Sequence, residues 1–363
     1  MTTGARDVHL VGSVCLSDAE EVFRTLAGIL GERAPRLPDG ETGAARSLWI
    51  QCQIPFFLGH PLLEMVEPDP AREGSYRPAL VPAGGLYSTT MADRYRGRAR
   101  LREGASAEDL SFEDLGYARW ASESYETFAR LKDEGVIPAR TRFQVCLPSP
   151  PVVTGSTTLA EEIPKVLPAY EAGLAREIEQ MARTIPHDEL AIQWDSVDPF
   201  RWEVSEPGAH AAILADLVRL AGYVPEGVEL GYHLCYGDFE HKHGREPEDL
   251  GTCVNLANVL AARVDREIAW VHMPVPRDRA DTPYFEPLRD LDLHPETTLV
   301  LGLVHLTDGV EGTLRRIEAA TAVRPDFAIA TECGFGRRPP ETIPELVRIH
   351  LEAAGAAGAS VSS

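Results

Sequence analysis

No apolar run in these 363 residues approaches the roughly 20 that a membrane-spanning helix needs, so a transmembrane role is not expected. Positive charge is also scarce. The 35 Lys and Arg stand against 56 Asp and Glu, a net charge of −21, which argues against nucleic acid or an anionic membrane surface as the main partner. Six cysteines (Cys15, Cys52, Cys146, Cys235, Cys253 and Cys333) are too few in so long a chain for a disulfide framework. In a reducing compartment they are core thiols, metal ligands or nucleophiles. The first ten residues lack a basic segment followed by an apolar core, so no signal peptide and a cytoplasmic location are expected. A Gly-rich phosphate loop, a Gly-x-Ser-x-Gly elbow and a His-Glu-x-x-His helix are all missing, as are internal repeats. The small-residue tail after Leu351 is expected to fray.

What is there reads as a folded α/β chain, 44% hydrophobic and 25% charged. Short β-rich runs occur at 8–14, 37–41, 143–147, 190–195, 228–235, 268–273, 298–306 and 327–333. Amphipathic stretches lie between them: 18–30 behind a Ser17 cap, 113–134, 159–183, 209–222, 247–264, 309–322 and 342–353. Gly222 is the clearest helix stop. Strands alternating with helices imply parallel strands joined by crossovers. Eight of them favour a closed (β/α)8 TIM barrel, one domain over 1–363, with an open doubly wound sheet as the alternative. Residues 60–111, rich in Pro, Gly and Arg, break the alternation. They read as an insertion, either a lid over the active face or an oligomer contact.

Barrel strands present catalytic groups at their C-terminal ends, and these ends are polar. They carry Ser13, Asp39 and Glu41, Gln193-Trp194-Asp195, His233 and Cys235, His272, His305, and Glu332-Cys333. His233 and Cys235, two apart on a strand, point to one face. Cys333 ends the last strand, with Gly334 and Gly336 leaving room for close approach. Two thiolates and an imidazole make a zinc set, against the bland reading of a buried Cys and a hydrogen-bonded His. For a fourth ligand His272 leads, with Glu332, Asp195 and water competing. Glu240-His-Lys-His243 reads as a solvated loop. Arg94, Arg96, Arg98, Arg100 and Arg102 alternate and could hold an anion, but pairing with carboxylates is the stronger reading. Trp194 could stack a substrate or sit in the core. His305 and Gln144 are pocket candidates, and Arg337 and Arg338 could bind a carboxylate.

His233-Leu-Cys-Tyr236 and Glu332-Cys-Gly-Phe-Gly-Arg337 resemble the catalytic barrel of cobalamin-independent methionine synthase, with its His-Met-Cys-Tyr-Ser and Asp-Cys-Gly-Leu-Lys-Thr-Arg. Gly12-Ser13 and Ile192-Gln-Trp-Asp195 resemble its Gly-Ser and Ile-Gln-x-Asp-Glu-Pro segments, in the same order along the chain. The resemblance implies a zinc ion on His233, Cys235 and Cys333, binding a small thiol that attacks an alkyl donor. It also implies that Asp195 recognises a substrate amino group. Asp39 and Glu41 are further acids placed to bind an amine or relay a proton. This chain departs from the family at Asp195-Ser196-Val197, where the family has Asp-Glu-Pro, and at His272, where the family's glutamate ligand falls. It is about one barrel long against the family's two, so a methylfolate donor is not expected. Single-barrel relatives include thiol alkyltransferases that open epoxides or take methyl groups from corrinoids. The expected function is thus a zinc-dependent methyl or alkyl transferase, with a homo-oligomer and a corrinoid protein as candidate partners. The alternatives are a metal-free lyase resembling uroporphyrinogen decarboxylase, worked by Asp39 and arginines, and a zinc-dependent C–X lyase or hydrolase.

Overall fold

The computed structural model describes residues 6–43, 46, 49–67, 97–239, 242–243 and 246–359, with only the backbone described at 238–239, 242–243 and 357–359. Seven parallel strands form one curled sheet whose order follows the chain: β1 (Arg36–Pro38), β2 (Arg142–Pro148), β3 (Leu190–Ser196), β4 (Glu229–Leu234), β5 (Trp270–Pro274), β6 (Thr298–Val304) and β7 (Ala328–Thr331). β3 is buried along its whole length, as expected of a parallel strand covered on both faces. Helices Ala19–Leu30, Tyr117–Asp133, Ile163–Thr184, His210–Ala221, Gly251–Arg263, Gly309–Thr321 and Ile343–Ala359 alternate with these strands, except that only the short Thr282–Phe285 and the turn after it join β5 to β6. They bury their apolar faces on the sheet. Phe23 of the first helix meets Phe128 of the second edge-on, 5.5 Å between ring centres, and both touch Phe143 of β2. No helix among the described residues is long and apolar enough to cross a membrane.

The first expected strand, 8–14, differs from expectation. It makes a single parallel bridge, Val8 to Ile329 of β7. On its other side Val8 N–H donates to the Arg33 carbonyl (2.8 Å) and Val14 N–H to that of Gly40 (2.9 Å), next to β1. The carbonyls between them are claimed from inside the curl. Gln144 of β2 donates to Leu10 (2.8 Å) and Gln193 of β3 to Val11 (2.6 Å). Side chains thus replace part of a ladder.

The inside of the curl is a separate cluster of mostly small residues, Val11, Ala191, Ala269, Val300, Ala328 and Ala330, filled by Trp270. Gly231 on β4 makes room for that indole, since a Cβ there would lie 1.9 Å from the Trp270 ring. Arg36 covers the indole, its guanidinium carbon 4.2 Å from the ring centre.

Two further expectations are corrected. Asp18, not Ser17, caps the first helix: its carboxylate accepts from Glu21 N–H at 2.9 Å, while Ser17 bonds the Glu21 side chain. The tail does not fray at Leu351. The helix continues to Ala359, because Ala353 and Ala354 are fully buried and the Ala354 carbonyl accepts from Arg6 N–H. Pro150–Thr157, whose Val-Val-Thr-Gly sequence is a poor helix former, is helical, started by prolines in its first turn. Within 60–111, Leu63–Val66 and Arg98–Leu101 pair as an antiparallel hairpin. Its Ala99 carbonyl accepts from Leu159 N–H just after that helix.

Candidate metal and substrate site

Sheet register builds the site. Asp195 on β3 sits beside His233 on β4, and His233 beside His272 on β5. Cys235 follows β4, and its N–H donates to the Ser196 carbonyl (2.8 Å), which ties it to the end of β3 two residues beyond the Asp195–His233 pair. Cys333 follows β7. Its loop is pinned against 12–13, where Phe335 N–H donates to the Ser13 carbonyl, and a Cβ at Gly334 would come within 3.0 Å of Ser13 N. The result is one cluster: a ring nitrogen of His233 and the sulfurs of Cys235 and Cys333 all lie within 4.8 Å of one another. His233 and Cys235 are buried, and Cys333 is half-buried. A tetrahedral zinc with Zn–S bonds of about 2.3 Å would space its ligand atoms roughly 3.3–3.8 Å apart, so the set fits the ion with a small inward adjustment.

The remaining cysteines are different. Burial pushes the thiols of Cys52 and Cys253 up to about 11 and about 12, and raises those of Cys15 and Cys146. They are protonated core or near-surface thiols. Arg337 lies beside the cluster, its guanidinium donating to the Cys333 sulfur at 3.8 Å, a contact that favours thiolate.

His272 stands behind His233. Their Nδ1 atoms are 2.7 Å apart, and His272 Nε2 donates to the Thr331 carbonyl at 2.9 Å. Burial lowers the His272 pKa to about 3, so the ring is neutral.

The acidic side of the pocket sorts its three carboxylates. Asp39 is saturated: Arg46 grips both oxygens (2.7 and 3.1 Å), Ser124 donates at 2.7 Å and Glu41 N–H at 2.9 Å. Burial pushes Asp39 up, but the Arg46 charge and these bonds outweigh it and leave the carboxyl below its usual range. Asp39, expected to bind an amine or relay a proton, has both oxygens engaged by these partners. Its oxygens are committed, and it anchors the loop that carries Glu41. Glu41 holds a left-handed backbone, φ 53°, and accepts from the Ser13 hydroxyl. Burial lifts its pKa to about 7. Asp195 is also raised, by burial and then by the Glu41 charge, while Gln193 donates to it at 2.8 Å. Gln193 is the hub, also accepting from His9 (2.8 Å) and from the Trp270 indole (3.1 Å). A cavity of about 20 Å³ beside Glu41, lined by Gln144 and Cys146 among others, has room for about one water.

Of the two readings of Trp194, the structure matches the core one. Strand alternation turns it outward, where its indole N–H donates to the Leu220 carbonyl of the next helix (3.1 Å), so it is a core tryptophan. His305 is buried beyond β6. It donates through Nε2 to the Val275 carbonyl (2.9 Å), with Nδ1 3.7 Å from the Glu332 carboxylate. Arg100 pairs with Glu64 (2.8 Å) and Arg102 donates to the Pro61 carbonyl, the structural reading of that series; Arg94 and Arg96 lie outside the described residues. Glu240 and His241 do too, while Lys242–His243 form a short strand with Asp238–Phe239. Sequence reasoning missed Arg46, Ser124 and His9. Arg46 and Ser124 reach Asp39 from 7 and 85 residues away, and no local spacing announces such a clamp.

No family model matches the sequence, and no curated protein matches it. Solved structures do. A B12-independent methionine synthase from Shewanella sp. W3-18-1, in complex with selenomethionine, superposes with a TM-score of 0.59 at 12% identity, over 99% of each chain. A methyltransferase from Methanosarcina mazei superposes with a TM-score of 0.56 at 11% identity, covering 100% of this chain and 96% of that one. This chain has the fold of a B12-independent methionine synthase and of a methanogen methyltransferase along its full length.

Proposed function

We propose that this protein is a zinc-dependent methyl or alkyl transferase acting on a small thiol. The observation that carries the reading is the convergence of His233, Cys235 and Cys333 from two strand ends. It is supported by the shared fold with two methyl-transferring proteins. The same reading takes the sheet as a closed (β/α)8 barrel, with 8–14 as the eighth stave between β7 and β1. It takes 1–363 as one cytoplasmic domain and 60–111 as an insertion near the active face or in an oligomer contact.

His233, Cys235 and Cys333 would hold the ion. Bound there, zinc lowers the pKa of an incoming thiol into the neutral range and fixes its sulfur. The chain's own residues do the rest. Asp195, in register with His233, takes the amino group of an amino-thiol, and Ser13 and Glu41 face the same space. A cation between two carboxyls held up by burial makes both ionise, so docking the amine releases protons. Glu41 changes protonation near neutral pH and is the group able to move a proton at its carboxyl oxygen. Arg337 and Gln193 fix Cys333 and Asp195. The alkyl donor, from a corrinoid protein or a small molecule, would approach from the open strand ends.

The test is a titration of the cobalt-substituted protein with cysteamine. An added sulfur-to-cobalt absorption band, absent with ethanolamine and weakened in Asp195→Asn, is expected. No change with cysteamine at millimolar concentration would overturn the reading.

A further inference from the structure

The Thr331 carbonyl can only accept, so the proton of His272 sits on Nε2, 2.9 Å away. The two facing Nδ1 atoms at 2.7 Å need one proton between them, and His272 already carries its N–H on Nε2, on the far side. His233 is therefore the donor through Nδ1. Its lone pair is left on Nε2, the nitrogen available to a ligand. His272 itself stays outside the three-residue cluster whose ligand atoms gather within 4.8 Å. It is fully buried and packed 4.7 Å from His233 ring to ring, so it cannot swing in without displacing its neighbours.

We propose that His272 is a positioning residue rather than the fourth ligand: held by the Thr331 carbonyl, it fixes His233 as the Nδ1–H tautomer and presents Nε2 to the metal. This rests on the metal reading above. Imidazole ligands commonly donate their second nitrogen to an acceptor that sets orientation and tautomer. Here that acceptor is another imidazole, itself pinned to a different strand. The relay couples the two halves of the site. Thr331 lies two residues before Cys333, and its hydroxyl donates to the Cys333 carbonyl at 2.6 Å. The placement of the His233 ring and of the Cys333 loop is thereby linked through one residue. A fourth position would be left for the substrate sulfur, and a zinc ion with two thiolates and one neutral imidazole would carry no net formal charge as a site.

Two variants and one spectrum test it. Glutamine at 272 can accept from His233 through its oxygen and donate to Thr331 through its amide, whereas leucine can do neither. Zinc affinity is read by chelator competition on the full-length protein, with circular dichroism to check the fold. His272→Gln should keep affinity within about 3-fold, and His272→Leu should lose roughly 10–100-fold. X-ray absorption at the zinc edge of the wild type should show two sulfurs and one imidazole. That spectrum needs no variant to fold. Two imidazoles in the wild type, or equal losses in folded Gln and Leu variants, would overturn the proposal. A wild type that binds no zinc would instead bring down the metal reading and this proposal with it.

Discussion

Replacing Glu41 with glutamine removes a charge that the fold resists but keeps the acceptor for Ser13 and the same backbone. Burial raises the carboxyl from 4.5 to about 7. At about 1.4 kcal/mol per pH unit, that shift makes ionised Glu41 roughly 3 kcal/mol costlier in the fold than in the unfolded chain. The sign follows from proton counting. Between the two pKa values the folded protein holds the proton that the unfolded chain has released. Wild-type stability therefore falls as pH rises from 4.5 to about 7 and then levels off. The Gln variant lacks this slope. Its advantage over wild type should grow from about 1 kcal/mol at pH 5 to roughly 3 kcal/mol at pH 8.5. Asp195, relieved of a neighbouring charge that raises it, adds in the same direction. Urea unfolding followed by tryptophan fluorescence at both pH values, at matched metal content, measures it. A stability difference that does not change with pH would mean that burial does not hold Glu41 protonated in the fold.

Two further changes probe the packing that holds the site. Gly231→Ala puts a methyl group inside the Trp270 ring, 1.9 Å from its nearest atom. Overpacking of that kind costs about 1–3 kcal/mol or more, so the melting temperature should fall by several degrees; an unchanged value would contradict the packing described. Trp194→Phe removes the indole bond to Leu220 but touches nothing in the pocket. The Leu220 carbonyl still accepts from Tyr223 N–H, so the change should cost only about 0.5–1.5 kcal/mol for the lost bond and leave thiol binding unchanged, as chemical denaturation and the cobalt titration would show.

The sequence made the strand-helix alternation legible because parallel strands buried on both faces are nearly continuous apolar runs. The polar residues at their ends then stood out, and His233, Cys235 and Cys333 could be picked before any contact was known. What stayed hidden was how those residues bind one another. His272 and His233 are 39 residues apart, and sequence order cannot say whether two imidazoles share a metal or a proton. Asp39 looked like an available acid because nothing local marks Arg46 and Ser124 as its partners. Trp194 sat in the right segment but on the wrong face, which period-2 alternation beside Gln193 and Asp195 does reveal once the inner face is known. The 8–14 run looked like a full strand, yet glutamine side chains take the Leu10 and Val11 carbonyls instead of a neighbouring ladder.

The proposed site, with His233, Cys235 and Cys333 around one metal ion, stands or falls on metal content. Mass-spectrometric metal analysis of tag-free protein purified without chelator, beside Cys333→Ser, tests it most directly. The account predicts about one zinc per wild-type chain and little or none in the folded variant. A folded wild type without zinc, or a variant that keeps its full complement, would contradict it.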